Sequence, residues 1–241
     1  MNIDVAFLPA EVNGVDISNT TCIVLDIFRA TTSIVTAMAN GCKTVTPVLS
    51  VNEARLLANQ ENRSLLAGER QSIKIEGFDF GNSPFDFSES KVRDRQIIMT
   101  TTNGTTAIKA TEGAARTLIG SFINASAVCR QAKQYGQDIL IVCAGTDCLF
   151  SLEDALCAGF LTDILLSEAA TVPTMTDAAS GALLMYTQAK GALGEIAKNS
   201  RNGKRLCELG REEDANYCFQ IDLFTIVPEY KNRMITTACE L

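Results

Sequence analysis

The stretch Ile97-Ile98-Met99-Thr100-Thr101-Thr102-Asn103-Gly104-Thr105-Thr106-Ala107 passes from an apolar run into hydroxyls, an amide and a glycine, and then into a helix-like segment. This order predicts a buried strand, a tight loop and a helix, the repeating unit of an α/β fold. The N-terminus of a helix favours anions, because free N–H groups and the positive end of the helix dipole lie there. The loop therefore predicts an oxyanion site, with a phosphate ester as the expected ligand. A capped polar turn is the alternative.

The same alternation recurs along the chain. Short apolar runs predict strands at 3–8, 22–26, 44–49, 65–67, 97–100, 117–119 and 139–143, and helical patterns occur at 31–40, 52–60, 105–112, 124–135 and 152–167. We therefore expect an α/β fold with a mostly parallel sheet covered by helices on both faces. Residues 174–217 predict a helix-rich C-terminal third. The Gly-, Pro- and Phe-containing stretch 77–95 predicts a functional loop, and 1–241 reads as a single domain.

Composition limits the partners and the compartment. Hydrophobic residues make up 46% and charged residues 20% of the chain, as in an ordinary globular protein. The absence of an apolar run of membrane-spanning length and of signal-peptide features predicts a cytoplasmic protein without a membrane partner. The net charge of -7 argues against nucleic acid as a partner. The sequence leaves self-association into a homo-oligomer open.

Two residue types exclude several catalytic chemistries. Histidine is absent, which rules out Ser-His-Asp hydrolysis, phosphohistidine and His-ligated metals. The nine cysteines form no CxxC pair, and none has the arginine partner of a cysteine phosphatase. Acid–base work must therefore fall to carboxylates, Lys, Tyr, Cys or metal-bound water.

Polar residues follow the predicted strands at the point where each strand ends. Asp26 follows the run at 22–25, Glu69 follows 65–67, the Thr/Asn/Gly loop follows Met99, and Gly145 follows 139–143. In open α/β sheets, ligands bind beyond the carboxyl ends of the strands. We therefore expect these loops to meet at one crevice.

Four carboxylates near these ends have the chemistry of a magnesium site. Asp26, Glu69, Glu153 and Asp154 supply the hard oxygen ligands that Mg²⁺ prefers. Arg29 can place two N–H donors on an oxyanion.

Each residue also has a purely structural reading. Asp26 could cap a helix, Glu69 could pair with Arg70 at the surface, and Ser151 with Asp154 could form a capping box. Two functional alternatives also stay open: a non-catalytic protein that binds an organic acid or another anion, and an aspartyl-nucleophile phosphatase using Asp26. The second acid of that motif is replaced by Phe28.

A set of blocks resembles the 2-phosphosulfolactate phosphatase (ComB) family. The matching blocks are Leu25-Asp26-Ile27-Phe28-Arg29-Ala30-Thr31-Thr32, Leu66-Ala67-Gly68-Glu69-Arg70, Gly77-Phe78-Asp79-Phe80-Gly81-Asn82-Ser83-Pro84, 101–105, 143–145, 150–154 and 157–159, with weaker matches at 200–206, 213–214 and 227–228. Their order and spacing cover nearly the whole chain.

The resemblance implies a ComB-like fold and Mg²⁺-dependent hydrolysis of 2-phospho-3-sulfolactate to 3-sulfolactate and phosphate, a step associated with coenzyme M biosynthesis. The expected catalytic residues are Asp26, Arg29, Glu153 and Asp154, and the expected metal ligands are Asp26, Glu69, Glu153 and Asp154. The expected substrate-binding residues are Arg29, Arg70, Asn82, Ser83, Thr101, Thr102, Asn103, Gly104 and Thr105. The nucleophile stays open between Asp26 and a water activated by Glu153 or Asp154.

Overall fold

The computed structural model describes residues 1–60, 64–167 and 173–238. The strands are β1 (Asn2–Ala6), β2 (Thr20–Leu25), β3 (Thr44–Pro47), β4 (Leu65–Arg70), β5 (Ile73–Lys74), β6 (Gln96–Thr100), β7 (Arg116–Gly120), β8 (Asp138–Cys143), β9 (Thr174–Met175), β10 (Pro228–Lys231) and β11 (Met234–Thr237). The helices are α1 (Ala30–Ala39), α2 (Val51–Gln60), α3 (Glu89–Val92), α4 (Gly104–Ala110), α5 (Ala125–Gln134), α6 (Leu152–Ser167), α7 (Asp177–Ala189), α8 (Leu193–Lys198), α9 (Arg201–Glu208) and α10 (Glu212–Cys218). Short 3-10 turns lie at Pro9–Val12, Pro84–Asp86 and Phe122–Asn124.

All described strands belong to one sheet, in the order β5-β4-β6-β3-β11-β10-β7-β2-β8-β1-β9. Two parallel blocks make up most of it: β4-β6-β3, and β7-β2-β8-β1-β9. The longest ladder pairs β2 with β8 from Thr20↔Asp138 to Leu25↔Cys143. The predicted mostly parallel sheet is confirmed.

An antiparallel hairpin of β10 and β11 joins the two blocks. β10 pairs with β7 at Glu229↔Leu118, and β11 pairs with β3 at Ile235↔Val45. Its turn holds Arg233 at φ 67°, and the preceding asparagine at φ 51°, in the left-handed region of a tight hairpin. No strand pattern in residues 228–237 predicts this hairpin.

Helices cover both faces, as predicted, and β2 shows why. Successive side chains of a strand point to opposite faces. Ile23 and Leu25 pack in a buried cluster with α5 and α6, whereas Val24 packs in a second cluster with α1 and α4. Because both faces are apolar, the strand reads as a continuous apolar run.

The predicted elements are present with small shifts of their ends. The stretch 77–95 is mostly irregular, apart from one 3-10 turn and the short α3. The C-terminal third is helical as expected, except that Thr174–Met175 forms β9 beside β1. Among the described residues, no helix is both long and apolar enough to cross a bilayer.

Candidate active site

Asp26 lies immediately after β2 and is only 7% exposed. Its Oδ1 accepts a hydrogen bond from the N–H of Ala30 at 3.2 Å, so the carboxylate does cap α1. The Thr31 hydroxyl accepts from the N–H of Asp26 at 2.9 Å and donates to its carbonyl at 3.0 Å. The hydroxyl-rich start of α1 thus satisfies the backbone of the tight turn that presents Asp26.

The loop after β6 approaches Asp26 through Gly104. A Cβ at this position would lie 2.5 Å from the Cβ of Ala30 and 2.6 Å from Oδ2 of Asp26. No side chain can be accommodated there without movement of the backbone. Gly104 therefore brings the start of α4 against the carboxylate, and the predicted meeting of these two strand-end loops is observed.

Glu69 reaches the same place from β4 and is 7% exposed. Its Oε1 accepts from the N–H and the hydroxyl of Thr102, at 2.8 and 3.0 Å, and its Oε2 accepts from the N–H of Ser72 at 2.6 Å. The alternative of a surface pair with Arg70 is wrong, because the Glu69 carboxylate is buried against the loop. The N–H and the hydroxyl of Thr102, which the sequence predicts to bind a substrate anion, are thus already donated to Glu69.

Glu153 and Asp154 begin α6 and are both almost fully buried. Asp154 accepts from the N–H of Ile27 at 2.8 Å and from the N–H of Gly145 at 3.1 Å. Asp154 therefore ties together the loops after β2 and β8, and it does not form a capping box. Ser151 instead donates to Oε1 of Glu153 at 2.8 Å.

Arg29 is held inside the protein by partners far along the chain. Its Nη1 donates to Oδ2 of Asp214 at 2.5 Å, and its Nη2 donates to the carbonyl of Ser72 at 3.2 Å. The second oxygen of Asp214 accepts from the hydroxyl of Ser83 at 2.6 Å. The charge of Arg29 is thus balanced by a buried carboxylate from α10.

The C-terminal helices contribute residues that sequence reasoning missed. Asn202 on α9 donates to the carbonyl of Phe28 at 3.0 Å and to Oε1 of Glu153 at 3.3 Å. Arg205, one turn later, lies 3.8 Å from Asp147. The only sequence signal for them was the weak match of blocks 200–206 and 213–214.

Asp26, Arg29 and Glu69 line an open cleft, whose space of about 360 Å³ includes the solvent at its mouth. Of the other two expected metal ligands, Glu153 lines an adjoining pocket with Ser151, and Asp154 is not among the lining residues of the cleft. The residues that line the cleft are nearly all polar: Asp26, Phe28, Arg29, Glu69, Gln71, Ser72, Asn82, Thr102, Asn103, Thr146, Asp147, Asn202 and Arg205. Loops after four parallel strands therefore share one cleft, together with α9.

Apart from Gly104, which packs against Asp26 and Ala30, the expected substrate-binding residues divide into two groups. Arg29, Asn82, Thr102 and Asn103 line the cleft, and Oδ1 of Asn82 is buried without a hydrogen-bond partner among the described residues. The side chains of Arg70, Ser83, Thr101 and Thr105 are engaged elsewhere.

Arg70 and the two threonines make contacts that explain this division. Arg70 donates to the hydroxyl of Thr100 at 2.9 Å. Thr101 and Thr105 bond to one another, because the Thr101 hydroxyl accepts from the N–H of Thr105 at 3.1 Å and the Thr105 hydroxyl donates to the carbonyl of Thr101 at 3.0 Å. These contacts brace the loop that carries Thr102 and Asn103.

Two buried acids, Asp26 in the cleft and Asp154 near it, have raised pKa values. Burial raises the pKa of Asp26 to about 7, and the carboxylates of Glu69 and Glu153 add to the rise, while the hydrogen bond from Ala30 opposes it. Burial also raises the pKa of Asp154 well above its usual range, and the charges of Asp26 and Glu153 contribute. Because burial and neighbouring negative charges both disfavour an ionised carboxylate, this site favours binding of a proton or a cation.

The donor set suits a magnesium ion that keeps part of its water shell. Within residues 1–60, 64–167 and 173–238, no three acidic or cysteine side chains form a ready-made metal site. In the same ranges, Oδ2 of Asp26 and Oε2 of Glu153 have no protein donor, whereas both oxygens of Glu69 and Asp154 accept hydrogen bonds. Mg²⁺ commonly binds one or two carboxylates, several waters and the substrate phosphate.

Comparison with known proteins decides the family. The model of the family described as 2-phosphosulpholactate phosphatase matches residues 6–233. The chain belongs to the 2-phosphosulfolactate phosphatase family. The family resemblance and the enzyme class, a phosphoric monoester hydrolase, are thereby confirmed.

Relatives match this family member over nearly their whole length. A probable 2-phosphosulfolactate phosphatase of Clostridium acetobutylicum is 40% identical over 233 residues, which is 96% of this chain and 98% of the relative. Proteins with the same name in Caldanaerobacter subterraneus and Clostridium novyi are 41% and 38% identical and span 95% and 98% of this chain, and 95% and 100% of their own lengths. The described cleft thus lies in a chain that is similar from end to end to phosphatases of this family.

Proposed function

We propose that this chain hydrolyses 2-phospho-3-sulfolactate to 3-sulfolactate and phosphate, with Mg²⁺, in the cytoplasm, as a step of coenzyme M biosynthesis. One observation carries the proposal within the family: Asp26, with a free Oδ2, shares a buried polar cleft with Arg29 and Arg205. Carboxylate and guanidinium groups in one cleft suit a cation together with a substrate that carries several negative charges.

Asp26 is the residue best placed to hold the magnesium ion. Asp26 lines the cleft, and burial together with the charges of Glu69 and Glu153 raises its pKa, a penalty that a bound cation would relieve. A bound Mg²⁺ would polarise a phosphoryl oxygen and offset its charge. Glu69 supports this role by orienting Thr102, since its own oxygens already accept three hydrogen bonds.

Arg29 orients and stabilises the phosphoryl group. A guanidinium has five N–H donors, and the described contacts use donors on both Nη1 and Nη2 for Asp214 and Ser72. The remaining N–H groups are available to the cleft that Arg29 lines. Preorganised donors of this kind stabilise charge developing on a transferring phosphoryl group.

Glu153 is the candidate base for the attacking water. Its Oε1 is held by Ser151 and Asn202, which leaves Oε2 to accept a proton. Asp154 is the weaker candidate, because both of its oxygens accept backbone N–H groups. The Oδ2 of Asp26 also supports the alternative of direct attack on phosphorus, which would give an aspartyl phosphate.

Phosphate release is the direct test. We expect the purified chain to release phosphate from 2-phospho-3-sulfolactate with Mg²⁺ and to lose turnover with a chelator, and to act more slowly on phospholactate and phosphoglycolate. No release from any of the three esters would contradict a phosphatase and favour the non-catalytic anion-binding alternative. A rapid acid quench with an ester labelled with ³²P in its phosphoryl group separates the two nucleophiles, because label bound covalently to Asp26 indicates the phosphoenzyme.

A further inference from the structure

The two cationic side chains that line the cleft within the described residues differ in their partners. Arg29 is 2% exposed and is paired at 2.5 Å with Asp214, itself 5% exposed. Arg205 is 32% exposed, and its described partner is Asp147 at 3.8 Å, beyond hydrogen-bond distance. Asp147 is 56% exposed, so water competes with it for Arg205. Arg205 is therefore the lining cation whose charge is not neutralised by a buried partner.

The backbone that carries Arg205 is held firmly against the site. Asn202 is buried and bonds both Phe28 and Glu153, so the first turn of α9 is anchored at the cleft. A Cβ on Gly203 would collide with the carbonyl of Ala197, so α9 packs closely on the preceding helix. Residues three apart share a face of a helix, which puts Arg205 beside Asn202 in the cleft.

The substrate of the proposed function carries two anionic groups besides the reacting phosphoryl: a carboxylate and a sulfonate. Both must enter a cleft that already contains Asp26 and Glu69. We infer that Arg205 binds one of these non-reacting anionic groups and exchanges Asp147 for it, which makes Arg205 a determinant of substrate specificity. This inference rests on the proposed function. The guanidinium suits the role because its fork of N–H groups matches two oxygens of a carboxylate or sulfonate.

The test compares Arg205→Gln with the wild type and with Lys204→Gln, an exposed neighbour on the same helix that does not line the cleft. We expect Arg205→Gln to lower kcat/KM for 2-phospho-3-sulfolactate by roughly 10- to 100-fold, the loss of one charge-assisted contact. The inhibition constant of inorganic phosphate, which reports the phosphoryl subsite, should stay within about twofold. Lys204→Gln should match the wild type in both measurements, and Arg205→Lys should recover part of the loss.

Phospholactate identifies the group that Arg205 binds, because it has the carboxylate and lacks the sulfonate. A loss confined to phosphosulfolactate supports contact with the sulfonate, and an equal loss on both esters supports contact with the carboxylate. The inference is overturned if Arg205→Gln leaves kcat/KM unchanged for both esters. It is also overturned if the variant weakens inhibition by inorganic phosphate as much as it lowers kcat/KM.

A binding titration keeps this inference separate from the proposed reaction. Wild-type protein that fails to hydrolyse phosphosulfolactate overturns the proposed function. The affinity for 3-sulfolactate, measured by calorimetry, then decides the role of Arg205 without turnover. Binding at least tenfold weaker in Arg205→Gln supports the inference, and equal binding to both proteins overturns it.

Discussion

The cleft has two walls that are built in different ways. The strand wall consists of Asp26, Glu69, Thr102 and Asn103, and its contacts include the four-residue link from Asp26 to Ala30. The helix wall consists of Asn202 and Arg205, with Asp214 behind them. Its contacts reach back 185 residues from Asp214 to Arg29 and 49 residues from Asn202 to Glu153.

The two walls have different roles: the strand wall supplies carboxylates, and the helix wall holds other side chains in position. The strand wall holds two carboxylates proposed to serve a cation and a phosphoryl group, Asp26 and Glu69, and burial, with the nearby acidic charges, raises the pKa of Asp26. The helix wall holds Arg29 and Glu153 in place by buried hydrogen bonds. Substitutions in the strand wall should therefore affect turnover most, and those behind the helix wall should affect stability.

The largest expected effect is the loss of turnover in Asp26→Asn on the strand wall. The amide keeps the shape but removes the charge proposed to hold the cation, so we expect kcat to fall about 1000-fold or more. Phosphate release measures kcat, and circular dichroism checks the fold. Asp16→Asn, at an exposed position, is the matched control and should leave kcat unchanged. A kcat for Asp26→Asn within tenfold of the wild type would contradict the role of Asp26.

The next effect is loss of stability in Asp214→Asn behind the helix wall. Removal of this carboxylate leaves the guanidinium of Arg29 buried without a counter-charge, which costs about 3–5 kcal/mol of unfolding free energy. Urea denaturation measures the change. Arg211→Gln is the control, because Arg211 is 39% exposed and lies 3.9 Å from Asp214. That variant should lose less than about 1 kcal/mol. Equal losses of unfolding free energy in the two variants would show that the buried Arg29–Asp214 pair stabilises the fold no more than the partly exposed Arg211–Asp214 pair does.

A pH series sharpens the comparison on the strand wall. The pKa of Asp26 is raised to about 7, so above pH 4 the folded protein retains a proton that the unfolded chain releases. The stability from this group is therefore present at low pH and is lost as the pH rises towards 7. Without divalent cations, we expect the wild type to lose about 2–3 kcal/mol more than Asp26→Asn between pH 5 and 7. Parallel stability curves for the two proteins would contradict the raised pKa.

The smallest effect concerns the contact between the loops of the strand wall. Gly104→Ala places a methyl group 2.6 Å from Oδ2 of Asp26 and should cost about 1–3 kcal/mol of unfolding free energy and lower kcat. Gly181→Ala is the control, because a Cβ at this helical position meets nothing within 4 Å. The control should gain about 0.5–1 kcal/mol, from the better helix propensity of alanine. Thermal unfolding compares the two, and a stabilised Gly104→Ala would show that the close approach is not required.

Sequence reasoning predicted the strand wall well because its signals are local. An apolar run that ends in Asp26 or in the Thr102-Asn103-Gly104 loop marks both a strand end and its polar residue. The helix wall has no such signal: Asn202 and Asp214 look like ordinary polar residues of amphipathic helices. Their roles depend on packing against residues far away in the chain, which periodicity does not report.

The β10–β11 hairpin escaped prediction for a related reason. Its turn lacks the Asn-Gly or Asp-Gly pair that marks a tight hairpin, because Arg233 takes the left-handed position usually given to glycine. Its strands are only four residues each, and their place in the sheet depends on β3 and β7.

The position of that hairpin makes the continuity of the sheet depend on residues far along the chain from Asp26 and Glu69. The block with β2 and β8 carries Asp26, and the block with β4 and β6 carries Glu69 and Thr102. Without residues 228–237, β3 and β7 would each lack one of their two neighbours in the sheet, because β3 otherwise pairs with β6 and β7 with β2. Unpaired strand edges are templates for aggregation. A chain without this hairpin would therefore expose two strand edges, and the sheet would lose its link between the block that carries Asp26 and the block that carries Glu69.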